Sequence, residues 1–160
     1  MANAAIMPIH PLCMFLAKFA VTAQTALLTQ GWLLVLYVIG GRVFAGLDGF
    51  PSPEIFFWLL RGTWGGMPIM ALQLLLSMCI RSFAAPVLLA LCGSIVGLLA
   101  INADLGLLWP YALMLLGMNA NHAQDVMAGS TLPFFACCAA YLALAFFAAH
   151  MLLTHRDVIA

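Results

Sequence analysis

Charged side chains are what this sequence lacks most. Its 160 residues include five Lys or Arg and five Asp or Glu, so 6% are charged and 66% are hydrophobic. A typical soluble domain has about 25% charged and 45–50% apolar residues. A net charge of zero also argues against an electrostatic surface for nucleic acid. The composition therefore predicts an all-α integral membrane protein with no soluble domain.

Motifs of nucleotide, metal and redox sites are missing as well. The sequence contains no GxxxxGK[ST] to hold a nucleotide. Its five cysteines form no CxxC pair, and most lie within apolar runs, where Cys behaves as a small hydrophobe. We therefore expect no disulfide framework, no catalytic residues, and no cofactor or metal bound by this chain.

Four apolar runs are each long enough to cross a hydrocarbon core of about 30 Å as a helix. They lie at about residues 15–40, 62–80, 84–102 and 131–153. A fifth apolar run, about 105–118, is too short for a full crossing and contains Pro110. It is predicted to form a short re-entrant or interfacial helix.

The second run begins irregularly. The stretch before it is rich in Gly, Pro and aromatic residues and is predicted to be a loop. Gly65, Gly66 and Pro68 predict a kink near Gly65, with the regular crossing starting only there. Arg61 is predicted to anchor the chain at the membrane surface, with Glu54 as a candidate partner.

Arg81 separates the second and third runs. An Arg in mid-bilayer costs a few kcal/mol, whereas a turn can place it among the lipid headgroups. Arg81 therefore marks a turn at one membrane surface. With a cytoplasmic amino terminus, Lys18, Arg81 and Arg156 lie inside and Arg42 and Arg61 outside. This excess of basic residues predicts that both termini are cytoplasmic.

Small residues follow one face of the third run. They are Ala90, Gly93, Gly97 and Ala100, and Gly93 and Gly97 form a GxxxG that allows two backbones to approach closely. We expect this face to pack against another helix, either within the subunit or across a dimer.

The most polar stretch of the chain precedes the last run. His122 and Asp125 are three residues apart there, a spacing compatible with a proton or metal site on a helix. Two ligands are few for a metal. A polar external loop is the favoured interpretation.

Three features together suggest a family. HPLCMFLAKFAV leads through Leu16–Lys18 into the first run, and 105–118 lies between the last two spans. The link between the second and third runs carries Leu72, Gln73, Ser77, Arg81, Ser82, Phe83, Ala84 and Pro86. In these features the chain resembles ABC-2 type permeases, and in particular the permeases of bacteriocin and lantibiotic immunity transporters.

The resemblance implies a multi-pass subunit of an ATP-driven exporter in the bacterial cytoplasmic membrane. The cargo would be a hydrophobic peptide or a lipid-like compound. The implied partners are a separate ATP-binding cassette subunit, which would bind the ATP, and a second permease subunit, identical or different. The resemblance places the cytoplasmic coupling face at Lys18, the segment before it, and the Arg81 turn.

Such permeases usually have six spans, whereas this chain has room for four. This chain has no counterpart of the first two spans of such permeases, or of most of the cytoplasmic loop that receives the ATPase. We therefore expect a fragment, the product of an internal start, or half of a split subunit.

Two other functions are compatible with the sequence. Ten Met, five Cys and four His favour a metal-binding or haem-binding membrane redox subunit, since soft ligands and imidazole bind such groups. The histidines, however, are scattered along the chain at His10, His122, His150 and His155. The other alternative is a small helical membrane scaffold, which would share the small-residue face.

Overall fold

The computed structural model describes residues 11–46, 52–120, 122, 124–127 and 131–155. The α-helices are α1 (Pro11–Val43), α2 (Pro53–Cys79), α3 (Ala84–Asn102), α4 (Leu113–Gly117) and α5 (Leu132–His155). Within the described residues, α1, α2, α3 and α5 are long and apolar enough to cross a membrane. The predicted all-α membrane architecture with four spanning helices is therefore confirmed.

Helix α2 begins earlier than the sequence predicts, at Pro53 rather than residue 62. The Ser52 side chain accepts a hydrogen bond from the Glu54 N–H at 3.4 Å. Proline suits the first helical position, because the N–H that it lacks would have no partner within the helix. The Gly- and Pro-rich stretch therefore ends in a helix cap.

The predicted late start of α2 near Gly65 is wrong, because α2 continues as one helix through Gly65, Gly66 and Pro68. All three residues are buried. The glycines face another part of the chain at close range, so here they serve packing and do not end the helix.

Residues 105–118 fold back between α2 and α3, and we call them the re-entrant segment. It contains two 3-10 turns, Gly106–Leu108 and Pro110–Ala112, followed by the five-residue α4. Trp109 between the turns has an extended backbone, with φ −121° and ψ 116°. The next residue, a proline, has no N–H to continue the first turn, so the helical pattern restarts.

Glycines of α2 allow the re-entrant segment to pack against the helix backbone. A Cβ atom added to Gly65 would overlap the carbonyl oxygen of Leu113 and lie 2.7 Å from its carbonyl carbon. From the opposite side, a Cβ on Gly117 would lie 2.7 Å from the carbonyl oxygen of Arg61. A side chain at either glycine would push α2 and α4 apart.

The re-entrant segment also packs on α3. A Cβ on Gly93 would lie 2.9 Å from the Tyr111 ring, and one on Gly97 would lie 3.1 Å from the backbone nitrogen of Ala112. Gly93 is at the midpoint of α3. The tip of the re-entrant segment therefore reaches about halfway along this helix.

Two buried clusters hold the helices together. Phe15, Leu75, Ala149 and Leu153 join the first half of α1 to the last parts of α2 and α5. Leu113, Met127, Phe134 and Cys138 join the re-entrant segment and the loop after it to the first half of α5. Because these clusters lie at opposite ends of α5, they define two ends of the molecule.

Candidate functional site

A buried arginine lies where α2 meets the re-entrant segment. Arg61 is only 8% exposed. Its Nε donates to the carbonyl oxygen of Gly117 at 2.9 Å. Its two terminal nitrogens donate to the two carboxylate oxygens of Asp125 at 3.0 and 2.8 Å. This bidentate geometry is the strongest form of an Arg–carboxylate pair.

The pair corrects one prediction. The partner of Arg61 is Asp125 and not the candidate Glu54, and the Arg61 side chain is buried within the protein, while its place at a membrane surface stays a prediction. The less favoured alternative, a joint His122–Asp125 site, does not form, since Asp125 is engaged with Arg61 while His122 is exposed. The physical reason is the re-entrant segment, which returns the chain to α2 and presents Asp125 beside Arg61.

Asn119 shapes the loop that carries Asp125. Its backbone is left-handed, with φ 52°, a conformation that Asn tolerates better than most residues. The buried side chain donates to the Gln124 carbonyl at 2.9 Å and accepts from the Val126 N–H at 3.1 Å. The Met127 N–H donates to Asp125 Oδ1 at 3.0 Å. Hydrogen bonds within its own loop thus help to orient the carboxylate toward Arg61.

Asp125 is held in its charged form. The hydrogen bond from Arg61 is the main cause that lowers its pKa below the ordinary value. Burial acts in the opposite direction, while the Met127 N–H and the positive charge of Arg61 lower the pKa further. Removing one partner of such a pair leaves an uncompensated charge, a cost of about 3–5 kcal/mol when the site is fully buried.

A cavity of about 620 Å³ lies beside this ion pair. Its floor is the first half of α2, and its walls come from α1 and α5. The side chains that line it are Leu27, Glu54, Phe57, Trp58, Leu60, Arg61, Thr63, Trp64, Met67, Asp125, Thr131 and Phe135. We call it the aromatic cleft. Its volume falls in the range of about 300–1,000 Å³ that is usual for small-molecule sites.

The chemistry of the aromatic cleft suits an apolar or amphipathic molecule. Trp64 and Phe135 both line it and pack against each other, with ring centroids 6.3 Å apart in an edge-to-face arrangement. Polar groups are few. Arg61 donates its hydrogen bonds to Asp125 and Gly117. Glu54 forms no ion pair with any residue that the structure describes.

At the other end of the molecule, α1 and α5 are in direct contact. Phe146 of α5 packs edge-to-face against Phe15 and Phe19 of α1, with centroids 5.7 and 5.2 Å apart. The helices that form the walls of the aromatic cleft are therefore joined at one end and separated by the cleft at the other.

The re-entrant segment is fastened to three helices by aromatic side chains that sequence reasoning missed. Trp109 Nε1 donates to the carbonyl of Gly93 in α3 at 2.8 Å. Gln73 of α2 donates to the Tyr111 hydroxyl. Tyr141 of α5 donates to the carbonyl of Leu108 at 2.6 Å. Aromatic residues with a polar end within apolar runs were the signal that could have identified these contacts.

The small-residue face of α3, predicted to pack against another helix, is partly buried and partly half-buried. Gly93 and Gly97 are buried against the re-entrant segment, and Ala90 and Ala100 are half-buried. The surface that Gly93 and Gly97 meet is the 3-10 turn Pro110–Ala112 and not a long helix.

Lys18 and Arg81 lie toward the same end of the molecule, the end marked by the Phe15 and Leu75 cluster. Both side chains are exposed. Arg81 occupies the four-residue turn between α2 and α3 and borders a second cavity of about 620 Å³, which also contains Ala90. The aromatic cleft and the Arg81 turn are thus near opposite ends of α2.

Among the residues that the structure describes, the cysteines and histidines do not gather at one place. All five cysteines are free thiols. In the part of the chain that the structure describes, no three His, Cys, Asp or Glu side chains gather in a group that could hold a metal ion. His10 lies outside the described residues. Comparison of the chain with models of protein families, with curated proteins and with solved structures found no match.

Proposed function

We propose that this chain is the permease subunit of an ATP-driven exporter of the ABC-2 type. It would move a hydrophobic peptide or a lipid-like compound, as in bacteriocin and lantibiotic immunity. The chain itself is not an enzyme in this proposal. ATP binding and hydrolysis belong to a separate ATP-binding cassette subunit, and a second permease subunit completes the transport path.

The observation that carries the proposal is the aromatic cleft. A transporter of apolar cargo needs a site that excludes most polar groups yet lies within a helical bundle. The aromatic cleft offers rings from Phe57, Trp58, Trp64 and Phe135, with the Arg61–Asp125 pair at its edge. A passive scaffold has no need of an aromatic cavity of this size.

Helix α2 provides a mechanical link between the coupling face and the aromatic cleft. It is a single helix of 27 residues, about 40 Å long at 1.5 Å per residue. Near one end is the Arg81 turn, and the other half is the floor of the aromatic cleft. Because the turn is short and α2 is unbroken, a displacement at the turn would also shift the floor of the cleft.

In the proposed orientation, both termini and the Arg81 turn face the cytoplasm of a bacterium, and the loop that carries Asp125 faces outward. Lys18 and the segment before it would lie beside the ATP-binding subunit. The re-entrant segment would then enter from the outer surface and seal that side between α2 and α3.

Purification of the tagged chain from its own membranes tests the proposal. After gentle cross-linking in the membrane, we expect an ATP-binding cassette protein in equimolar amount and vanadate-sensitive ATP hydrolysis in the purified material. Recovery of the folded chain without any nucleotide-binding protein would contradict the proposal and favour the scaffold.

A further inference from the structure

We propose that the cavity at the Arg81 turn is a binding site for an anionic phospholipid. This site is separate from the aromatic cleft, and the inference does not depend on a transport function. The cavity, called the Arg81 groove below, has a volume of about 620 Å³. It is lined by Thr22, Ile69, Met70, Gln73, Leu74, Ser77, Ile80, Arg81, Ser82, Phe83, Pro86, Val87 and Ala90.

The position of the re-entrant segment explains why the groove exists. The segment separates α2 from α3 but extends only to the midpoint of α3, where Tyr111 meets Gly93. The hydrogen bond from Gln73 to the Tyr111 hydroxyl lies at this level. Beyond it, toward the Arg81 turn, α2 and α3 have no segment between them. The Arg81 groove lies in this half of the molecule.

The polar groups of the groove favour an anion at one end. The Arg81 guanidinium is exposed and forms no ion pair with any residue in the described part of the chain. The acidic residues that the structure describes, Glu54, Asp104 and Asp125, all lie at the other end of the helices. A phosphate is thus the natural partner of Arg81, because guanidinium matches phosphate in charge and geometry.

The remaining walls favour hydrocarbon. Ile69, Leu74 and Val87 contribute apolar surface. The hydroxyls of Thr22 and Ser77 already donate to carbonyls of their own helices, at 2.8 and 2.7 Å. These two hydroxyl groups therefore need no hydrogen bond from a ligand.

The groove runs along α2 and α3 and leads to Arg81. The groove follows α2 from Ile69 to Ile80, about 16 Å at 1.5 Å per residue. A phospholipid would place its phosphate at Arg81 and its acyl chains along α2 and α3.

Native mass spectrometry of the purified chain tests the proposal. The probe is an equimolar mixture of phosphatidylglycerol and phosphatidylcholine with identical acyl chains. We expect preferential retention of phosphatidylglycerol, and we expect Arg81→Gln to reduce that preference about fivefold, the effect of one basic residue near a lipid surface. The matched control is Arg42→Gln, which removes an exposed basic residue from the opposite end of α1 and should keep the preference.

A second variant probes the apolar wall without touching the charge. Ala90→Leu adds bulk inside the groove and should reduce retention of both lipids, whereas Ala140→Leu on the exposed face of α5 should not. Equal retention of the two lipids by the wild-type chain would overturn the proposal. So would loss of bound phosphatidylglycerol on addition of millimolar inorganic phosphate, which would indicate a free-anion site, or normal lipid binding by Ala90→Leu.

Discussion

Close packing of the re-entrant segment on α2 makes a strong prediction at Gly65. In Gly65→Ala, the new methyl group would overlap the Leu113 carbonyl, so α4 would have to shift away from α2. That shift would also strain the hydrogen bond from Arg61 Nε to the Gly117 carbonyl. Overpacking of this kind costs about 1–3 kcal/mol, and the better helix propensity of Ala returns at most about 1 kcal/mol.

Gly31→Ala is the matched control, because a Cβ at this position of α1 would meet no atom within 4 Å. It should leave stability unchanged or raise it by up to about 1 kcal/mol. The two variants should therefore differ by about 2 kcal/mol in the free energy of unfolding. The comparison removes the intrinsic difference between Gly and Ala and isolates the contact.

Unfolding in mixed micelles, with increasing sodium dodecyl sulfate in dodecyl maltoside, would measure this difference. Tryptophan fluorescence is a suitable signal, since Trp109 belongs to the re-entrant segment and bonds to α3. Equal stability of Gly65→Ala and Gly31→Ala would refute the packing of α4 directly on the α2 backbone.

Three further predictions concern other parts of the molecule. Asp125→Asn should destabilise the protein by about 3 kcal/mol at neutral pH. Because folding lowers the pKa of Asp125, the wild type should keep its full stability advantage over the variant above the unfolded pKa of about 4 and lose it as the pH falls through the folded pKa. Free energies of unfolding measured for both proteins against pH would test this. A difference that does not change with pH would contradict it. Gly97→Leu should lower the yield of folded protein in detergent, because even a Cβ at this position would lie 3.1 Å from the Ala112 backbone nitrogen. An unchanged melting temperature would exclude the close packing of α3 on the re-entrant segment. Arg81→Lys should insert normally yet reduce peptide resistance of cells and transport-stimulated ATP hydrolysis, because Lys lacks the planar fork of donors. Wild-type values of both would show that Arg81 takes no part in coupling.

The lengths of the apolar runs were sufficient to predict the spanning helices. The third run contains no charge and ends at the polar residues Asn102 and Asp104, so α3 was predicted at its observed bounds, 84–102. The start of α2 was missed because Gly- and Pro-rich sequence suits both a loop and a helix cap. Gly65 illustrates the same ambiguity, since a glycine that weakens a helix in isolation also permits close packing in a bundle.

The ion pair beside the aromatic cleft was beyond sequence reasoning. Arg61 and Asp125 are 64 residues apart, and nothing in the local pattern links them. Their meeting depends on the re-entrant segment, whose path is set by Gly62, Gly65 and Gly117. Glu54 was a plausible partner by sequence distance alone, but it lies about two helical turns from Arg61 along the same helix.

The most direct test of the proposed coupling uses single cysteines at the two ends of α2. Ser82→Cys lies in the Arg81 turn and Ser52→Cys precedes α2, and both positions are exposed. Each is introduced into a chain whose five natural cysteines are replaced by alanine and expressed with the ATP-binding subunit identified by purification. A short thiol-to-amine cross-linker should join residue 82 to that subunit, while an impermeant maleimide should label only residue 52 from outside intact cells. Cross-linking of the ATP-binding subunit through residue 52, or labelling of residues 52 and 82 from the same side, would contradict the proposed mechanism.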